Sequence, residues 1–212
     1  MESKNQIPKI LNRWKIEILT HKKLILVSAI FLVIASFLNY CAGIYAERTV
    51  SVAVPDLILD HIQTTDLDFI FIYGFIAIVV VFFLYPLIRN VKELHIAISQ
   101  FSLLILIRSF FVSVTHLKTP VDAFAFNIPK YVSFFFFQND QFFSGHTAIP
   151  FLGFLLFRKE KIGIFFLIAT IVMMATVLFM HVHYSIDVFA ALFITYSSYK
   201  IGQLFFRKIN HY

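Results

Sequence analysis

Four side chains carry the chemistry that this sequence offers: His146, His183, Asp187 and Arg108. His183 and Asp187 stand four residues apart in His181-Val182-His183-Tyr184-Ser185-Ile186-Asp187. On a helix that spacing puts them on one face. A carboxylate there accepts the proton of one imidazole nitrogen, fixes the tautomer and raises the basicity of the other nitrogen. The second nitrogen is then free to attack an electrophile such as phosphorus. The alternative for this pair is a helix cap that satisfies itself. His146 lies in Ser144-Gly145-His146-Thr147. Ser144 is a natural N-cap, and the free backbone amides after it favour a phosphate. A histidine in that first turn can give or take a proton at an ester oxygen. Arg108 interrupts an apolar stretch, where an arginine is a functional candidate by default, and its fork suits phosphate oxygens. Its structural alternatives are an ion pair with Asp140 or Asp187, or snorkelling to the membrane interface. His146, His181 and His183 also form a candidate zinc set. Asp187 and Arg108 fit phosphate better, so the expectation is phosphoryl transfer with no metal and no cofactor.

The elements that position these groups are membrane helices. The 212 residues are 59% hydrophobic and 14% charged, with a mean hydropathy of +0.82. Soluble domains are nearer 45–50% apolar and about 25% charged. The single cysteine, Cys41, excludes an intramolecular disulfide framework and a cysteine-based zinc site. Residues 1–23 combine basic side chains with Ile7, Ile10, Leu11, Trp14 and Ile18 at helical spacing. They read as a cytoplasmic amphipathic helix on the membrane surface, ahead of a catalytic membrane domain at 24–212. Spans are expected at about Leu24–Tyr45, Asp68–Ile88, Leu94–Thr115, Ser144–Phe157, Ile162–Met180 and from Asp187 to about Phe206. The fold class is therefore all-α, a six-transmembrane helical bundle. An aromatic run from Tyr131 to Phe137 is expected to dip into the interface.

Orientation follows from the basic residues. All but four of the 18 lysines and arginines fall on one side of this arrangement; Arg48, Lys118 and Lys130 fall on the other, and Arg108 lies within a span. Positive residues stay in the cytoplasm, so both termini are expected there and both histidine stretches on the exoplasmic face. The positive charge then serves topology and anionic lipid contact, and nucleic-acid binding is excluded.

These residues resemble the type 2 phosphatidic acid phosphatase superfamily and, more narrowly, its sphingomyelin synthase branch. That branch has Asp, three residues, then Ser-Gly-His-Thr, which matches Asp140 and Ser144 to Thr147. Its His-Tyr-Ser/Thr-x-Asp-Val motif is similar to His183 through Val188, and its Pro-Asp element to Pro55-Asp56. His181, and Arg108 with Thr115 seven residues on, also match. The resemblance runs from roughly residue 50 to 195. It implies His183 as nucleophile, Asp187 as its partner and His146 as acid–base. It also implies a substrate-binding set of Arg108, Asp140, Ser144, Gly145 and Tyr184. The implied activity is transfer of a phosphocholine- or phosphoethanolamine-type head group from a phospholipid donor to a lipid acceptor. The alternative is a lipid phosphate phosphatase with water as acceptor. Four features depart from the family. The superfamily's Lys-x6-Arg-Pro motif is missing around Arg108, Val177 stands where the phosphatases carry an arginine, Gln138-Asn139 replaces Cys-Gly, and the branch's C-terminal aromatic-rich segment is not reproduced around Tyr199. A reading of another class is a non-catalytic lipid-binding transporter or scaffold. Short loops and Phe- and Ile-rich spans point to a bacterial inner membrane.

Overall fold

The structure, a computed structural model, describes residues 14–49, 52–125, 137 and 139–209. The described residues are helical with no strand. Residues 14–20 form a helical lead-in. Six longer helices follow: α1 (Lys22–Arg48), α2 (Phe75–Arg89), α3 (Val91–Val114), α4 (Gly145–Phe157), α5 (Lys161–Phe179) and α6 (Ser185–Ile209). A five-residue π turn, Ile70–Gly74, leads into α2.

Among the described residues, four segments are long and apolar enough to cross a membrane: α1, Ile70–Arg89, α3 and α5. The expected fourth span is a shorter apolar helix of 13 residues. The expected sixth is the 25-residue α6, whose middle carries Tyr196, Ser197, Ser198, Tyr199 and Lys200. Most of the expected amphipathic segment, residues 1–13, and the aromatic residues 131–136 lie outside the described residues.

The outer face of the bundle is apolar, and its interior mixes polar with apolar side chains. Val33 and Phe37 of α1, Val80 and Leu84 of α2, and Ile164 and Ile168 of α5 are exposed. Ser99, Gln100, Ser102, Arg108, Thr195 and Ser198 are buried. Apolar side chains outside and polar ones turned inward fit a lipid solvent.

Small residues set the helix contacts. Ser28, Ala35 and Ala42 recur every seven residues on the buried face of α1, which runs along α3. Gly153 of α4 faces the Phe166 ring of α5, and Gly163 leaves room for the Phe157 carbonyl. Apolar burial gains little in lipid, so close backbone packing is what binds such helices. Phe82, Leu104, Leu152, Phe166 and Met173 fill the middle.

Local signals end the helices where the sequence breaks. Asn90 caps α3 by accepting the Glu93 N–H at 2.8 Å, and the Asn90 amide donates back to Glu93 Oε1 at 2.7 Å. At the turn between α4 and α5, Glu160 accepts from Tyr85 and pairs with Arg89 at 3.1 Å. The other end of α5 closes in a Schellman motif. Val182 N–H donates to the Val177 carbonyl and His181 N–H to that of Leu178. His181 takes the left-handed position at φ 53°. Val177 and Val182, the pair that flanks this motif, share one apolar cluster.

Candidate active site

The site forms where the C-terminal part of α3 meets the first turns of α4 and α6. A backbone hydrogen bond ties the two histidine stretches together: Ser144 N–H donates to the Asp187 carbonyl at 3.4 Å. A left-handed residue stands two positions before Ser144, Phe142 at φ 84°, and another two positions before His183, His181 at φ 53°. A non-glycine residue there costs roughly 1–2 kcal/mol, which the surrounding structure must offset.

His183 and Asp187 meet as the four-residue spacing requires, Nδ1 to Oδ2 at 3.3 Å. The same Oδ2 accepts the Tyr184 N–H at 3.0 Å, so Asp187 also caps α6 from inside its first turn. The carboxylate therefore orients the histidine and starts the helix at once. Asp187 is sealed from solvent, while the His183 side chain keeps 9% of its surface.

Gln141 joins them, although nothing in its sequence position marks it. Its Oε1 lies 3.2 Å from His183 Nδ1. Its amide nitrogen donates to the Val182 carbonyl and to Thr119 Oγ1, each at 3.2 Å. A carbonyl only accepts, so the amide cannot be turned round. Nδ1 therefore faces two oxygen acceptors and carries the proton. The lone pair is left on Nε2, the arrangement a nucleophilic imidazole needs.

His146 is held differently. Ser144 caps α4, accepting the Thr147 N–H at 3.4 Å, and this sets His146 in the first turn. The ring lies against Phe71 and Phe75, with centroids 4.1 and 4.0 Å away. It is also hydrogen-bonded to the Phe71 backbone, within electrostatic reach of His183 and Arg108. Phe71 sits in the π turn, a local widening common at functional sites. Pro150 has no N–H to offer the His146 carbonyl, so the first turn of α4 lacks that bond.

Arg108 reaches three partners. Nη2 donates to Asp140 Oδ2 at 2.6 Å, Nη1 to Asn39 Oδ1 at 3.1 Å and Nε to the Phe143 carbonyl at 3.1 Å. The ion pair with Asp140 is one of the two that the sequence offers; Asp187 is engaged elsewhere. Asn39, a polar residue inside the apolar α1, carries the kind of signal that marks such a partner. The guanidinium lies against the α4 N-terminus, where a Cβ on Gly145 would stand in ordinary contact with Arg108 Nε at 3.4 Å.

Tyr184 and His181 serve the outer segments. The Tyr184 hydroxyl donates to the Lys118 carbonyl at 2.9 Å and accepts the Val54 N–H at 3.2 Å. Burial pushes this phenol up from its ordinary value; the Val54 bond opposes that, and Asp187, Asp56 and Asp122 add to it. His181 Nδ1 meets Asp122 Oδ2 at 2.7 Å, which ties that residue to the α5–α6 turn. Among the described residues no group of three His, Cys, Asp or Glu side chains is arranged to hold a metal ion. A cleft of about 220 Å³ opens beside Tyr184, between Pro55, Asp56, Pro120 and Asp122. Neither His146, His183 nor Arg108 lines it.

The groups on offer are thus an imidazole with a fixed tautomer, a second histidine in an aromatic setting, and a guanidinium at a helix N-terminus. Compared with known proteins, the chain matches no family model and no curated protein.

Proposed function

We propose that this protein is a six-span membrane enzyme that transfers a phospholipid head group at the exoplasmic face. Both termini lie in the cytoplasm, and the membrane is a bacterial inner membrane. The observation that carries the reading is the double acceptor on His183 Nδ1, Gln141 Oε1 and Asp187 Oδ2, beside His146 and Arg108.

In this reading His183 Nε2 attacks the phosphorus of a phosphocholine- or phosphoethanolamine-bearing phospholipid. A P–N bond forms and the P–O bond to the glyceride breaks. The leaving alkoxide takes a proton from His146, and a phosphohistidine carrying the head group remains. An acceptor lipid hydroxyl then gives its proton to His146. Its oxygen bonds to phosphorus, and the P–N bond breaks to free His183. The Nδ1 proton stays on His183, and Asp187 stabilises the positive charge that the ring acquires. Arg108 and the first amides of α4 hold the phosphate oxygens, the guanidinium exchanging its Asp140 carboxylate for phosphate. No metal takes part.

Hydrolysis by the same residues is the second reading, with water in place of the acceptor lipid. Val177 weighs against it. At the position where the resembling phosphatases carry an arginine, this chain has a fully buried valine in an apolar cluster.

Purified protein in lipid nanodiscs, given head-group-labelled phospholipid and an acceptor lipid, tests the proposal. The expected product is a labelled second lipid, absent with His183→Ala. Release of inorganic phosphate from a phosphatidic acid or isoprenoid diphosphate, with no labelled lipid, overturns transfer in favour of hydrolysis. Turnover that persists undiminished in His183→Ala removes the nucleophile assignment.

A further inference from the structure

The catalytic helix α6 does not cap itself alone. Its first residue, Ser185, is held by a carboxylate 129 positions earlier in the chain. Asp56 Oδ2 accepts the Ser185 N–H at 2.7 Å and the Ser185 hydroxyl at 2.8 Å. Asp56 Oδ1 accepts the N–H groups of Ile58 and Leu59 at 2.9 and 3.2 Å. The carboxylate is largely buried and each of its oxygens has two donors. Ser185 lies between His183 and Asp187, and the neighbouring Tyr184 hydroxyl is held by Val54 and Lys118.

Orphan amides at a helix start need partners, and a negative charge there is favoured by the helix dipole. A side chain of the helix could supply both. Here Asp187 serves the Tyr184 N–H from within the helix, but the outer segment serves Ser185, so the position of the first turn of α6 depends on where that segment sits. The dependence matters because the His183–Asp187 contact is already long, at 3.3 Å. A small shift of the first turn opens it, and misplacement of about 1 Å can cost on the order of a hundredfold in rate.

We propose that Asp56 is a positioning residue: by capping α6 across the chain, it holds His183 in register with Asp187. The proposal rests on the reading of His183 as nucleophile. The cleft beside Asp56 also holds Asp60, and loss of charge alone is a competing explanation for any effect. Asp60→Asn controls for that.

The test uses the full chain in nanodiscs, with Asp56→Ala, Asp56→Asn, Ser185→Ala and the Asp56→Ala/Ser185→Ala double variant. Head-group transfer and thermal melting are measured on each. The expected result for Asp56→Ala is a loss of kcat of about 30-fold or more with KM within about twofold. Asp56→Asn keeps acceptor oxygen in place and recovers part of the loss. The double variant is no worse than Asp56→Ala alone, because both act through one contact. Asp60→Asn stays within about twofold of the parent. Additive losses in the double variant, or a raised KM with unchanged kcat, overturn the proposal; so does a lowered melting temperature with full kcat per folded molecule. If the parent protein transfers no head group, the transferase reading falls. Asp56 is then judged by the rate at which diethylpyrocarbonate modifies His183. A several-fold change in Asp56→Ala upholds positioning, and an unchanged rate overturns it.

Discussion

His146 and His183 occupy the same end of the bundle, yet they are built in opposite ways. His183 is held by oxygen: Gln141 and Asp187 meet one nitrogen, and its orientation is a matter of hydrogen bonds. His146 is held by carbon: Phe71 and Phe75 pack on its ring, and its orientation is largely a matter of shape. The difference teaches which histidine suits which task. A nucleophile needs a fixed tautomer and a partner for the positive charge it acquires. An acid–base group must hold and release a proton in turn, and two facing acceptors would bias it permanently.

The largest expected effect breaks this contrast outright. His183→Ala should lose on the order of 10⁴-fold or more in kcat, because no covalent intermediate forms. His146→Ala should lose roughly 10²–10⁴-fold with a natural phospholipid. With a nitrophenyl-type leaving group, which departs without a proton, His146→Ala should regain most of its first half-reaction. His183→Ala should regain none. Burst kinetics with both substrates check this, and equal rescue of the two variants erases the distinction.

A smaller effect sharpens it. Gln141→Leu leaves Asp187 as the only acceptor on Nδ1. The expected cost is about tenfold in kcat, the worth of one hydrogen bond of about 1.4 kcal/mol. Single-turnover measurement should place the loss in formation of the covalent intermediate. A loss confined to binding would mean that Gln141 serves the substrate instead.

The smallest effect concerns pH. Burial raises the Asp56 carboxyl, but the Ser185 N–H and hydroxyl, with the Leu59 and Ile58 amides, outweigh that and hold it below the ordinary 3.8. A carboxyl depressed by folding contributes stability above its unfolded value. That contribution is lost as pH falls below 3.8 toward the lower folded value. Melting temperature should therefore respond to Asp56 between about pH 4 and pH 2. Asp56→Asn should flatten part of that acid decline and leave the curve above pH 5 parallel to the parent's. An unchanged decline would show that Asp56 is not the group titrating.

Much of the helical architecture is legible in the chain. Apolar runs bounded by Arg89, Lys92 and the Arg158–Lys161 turn mark where helices stop, because charged side chains are costly among lipid tails. The Asn90 and Ser144 caps are equally local. The four-residue step from His183 to Asp187 is a property of any helix, so that contact is readable without a fold. Phe71 and Phe75 are not readable as partners of His146, because they lie about 70 residues upstream on another helix. Gln141 is likewise an ordinary polar residue until the α5–α6 turn brings Val182 and His183 to it. Arg108 shows both sides. Its presence in an apolar run announces a site, but the choice of Asp140 over Asp187 as partner depends on how α3 meets α4.

By itself, then, the sequence determined an all-helical membrane chain and the residue types of its chemistry. Hydrophobic runs, helix caps and i,i+4 spacing are local, and local rules act without knowledge of the fold. Only the tertiary structure decided which residues surround each histidine, which acid meets Arg108 and which segment caps α6. Those contacts join residues 32 to 129 positions apart, and close packing of particular helices, which no local period encodes, selects them.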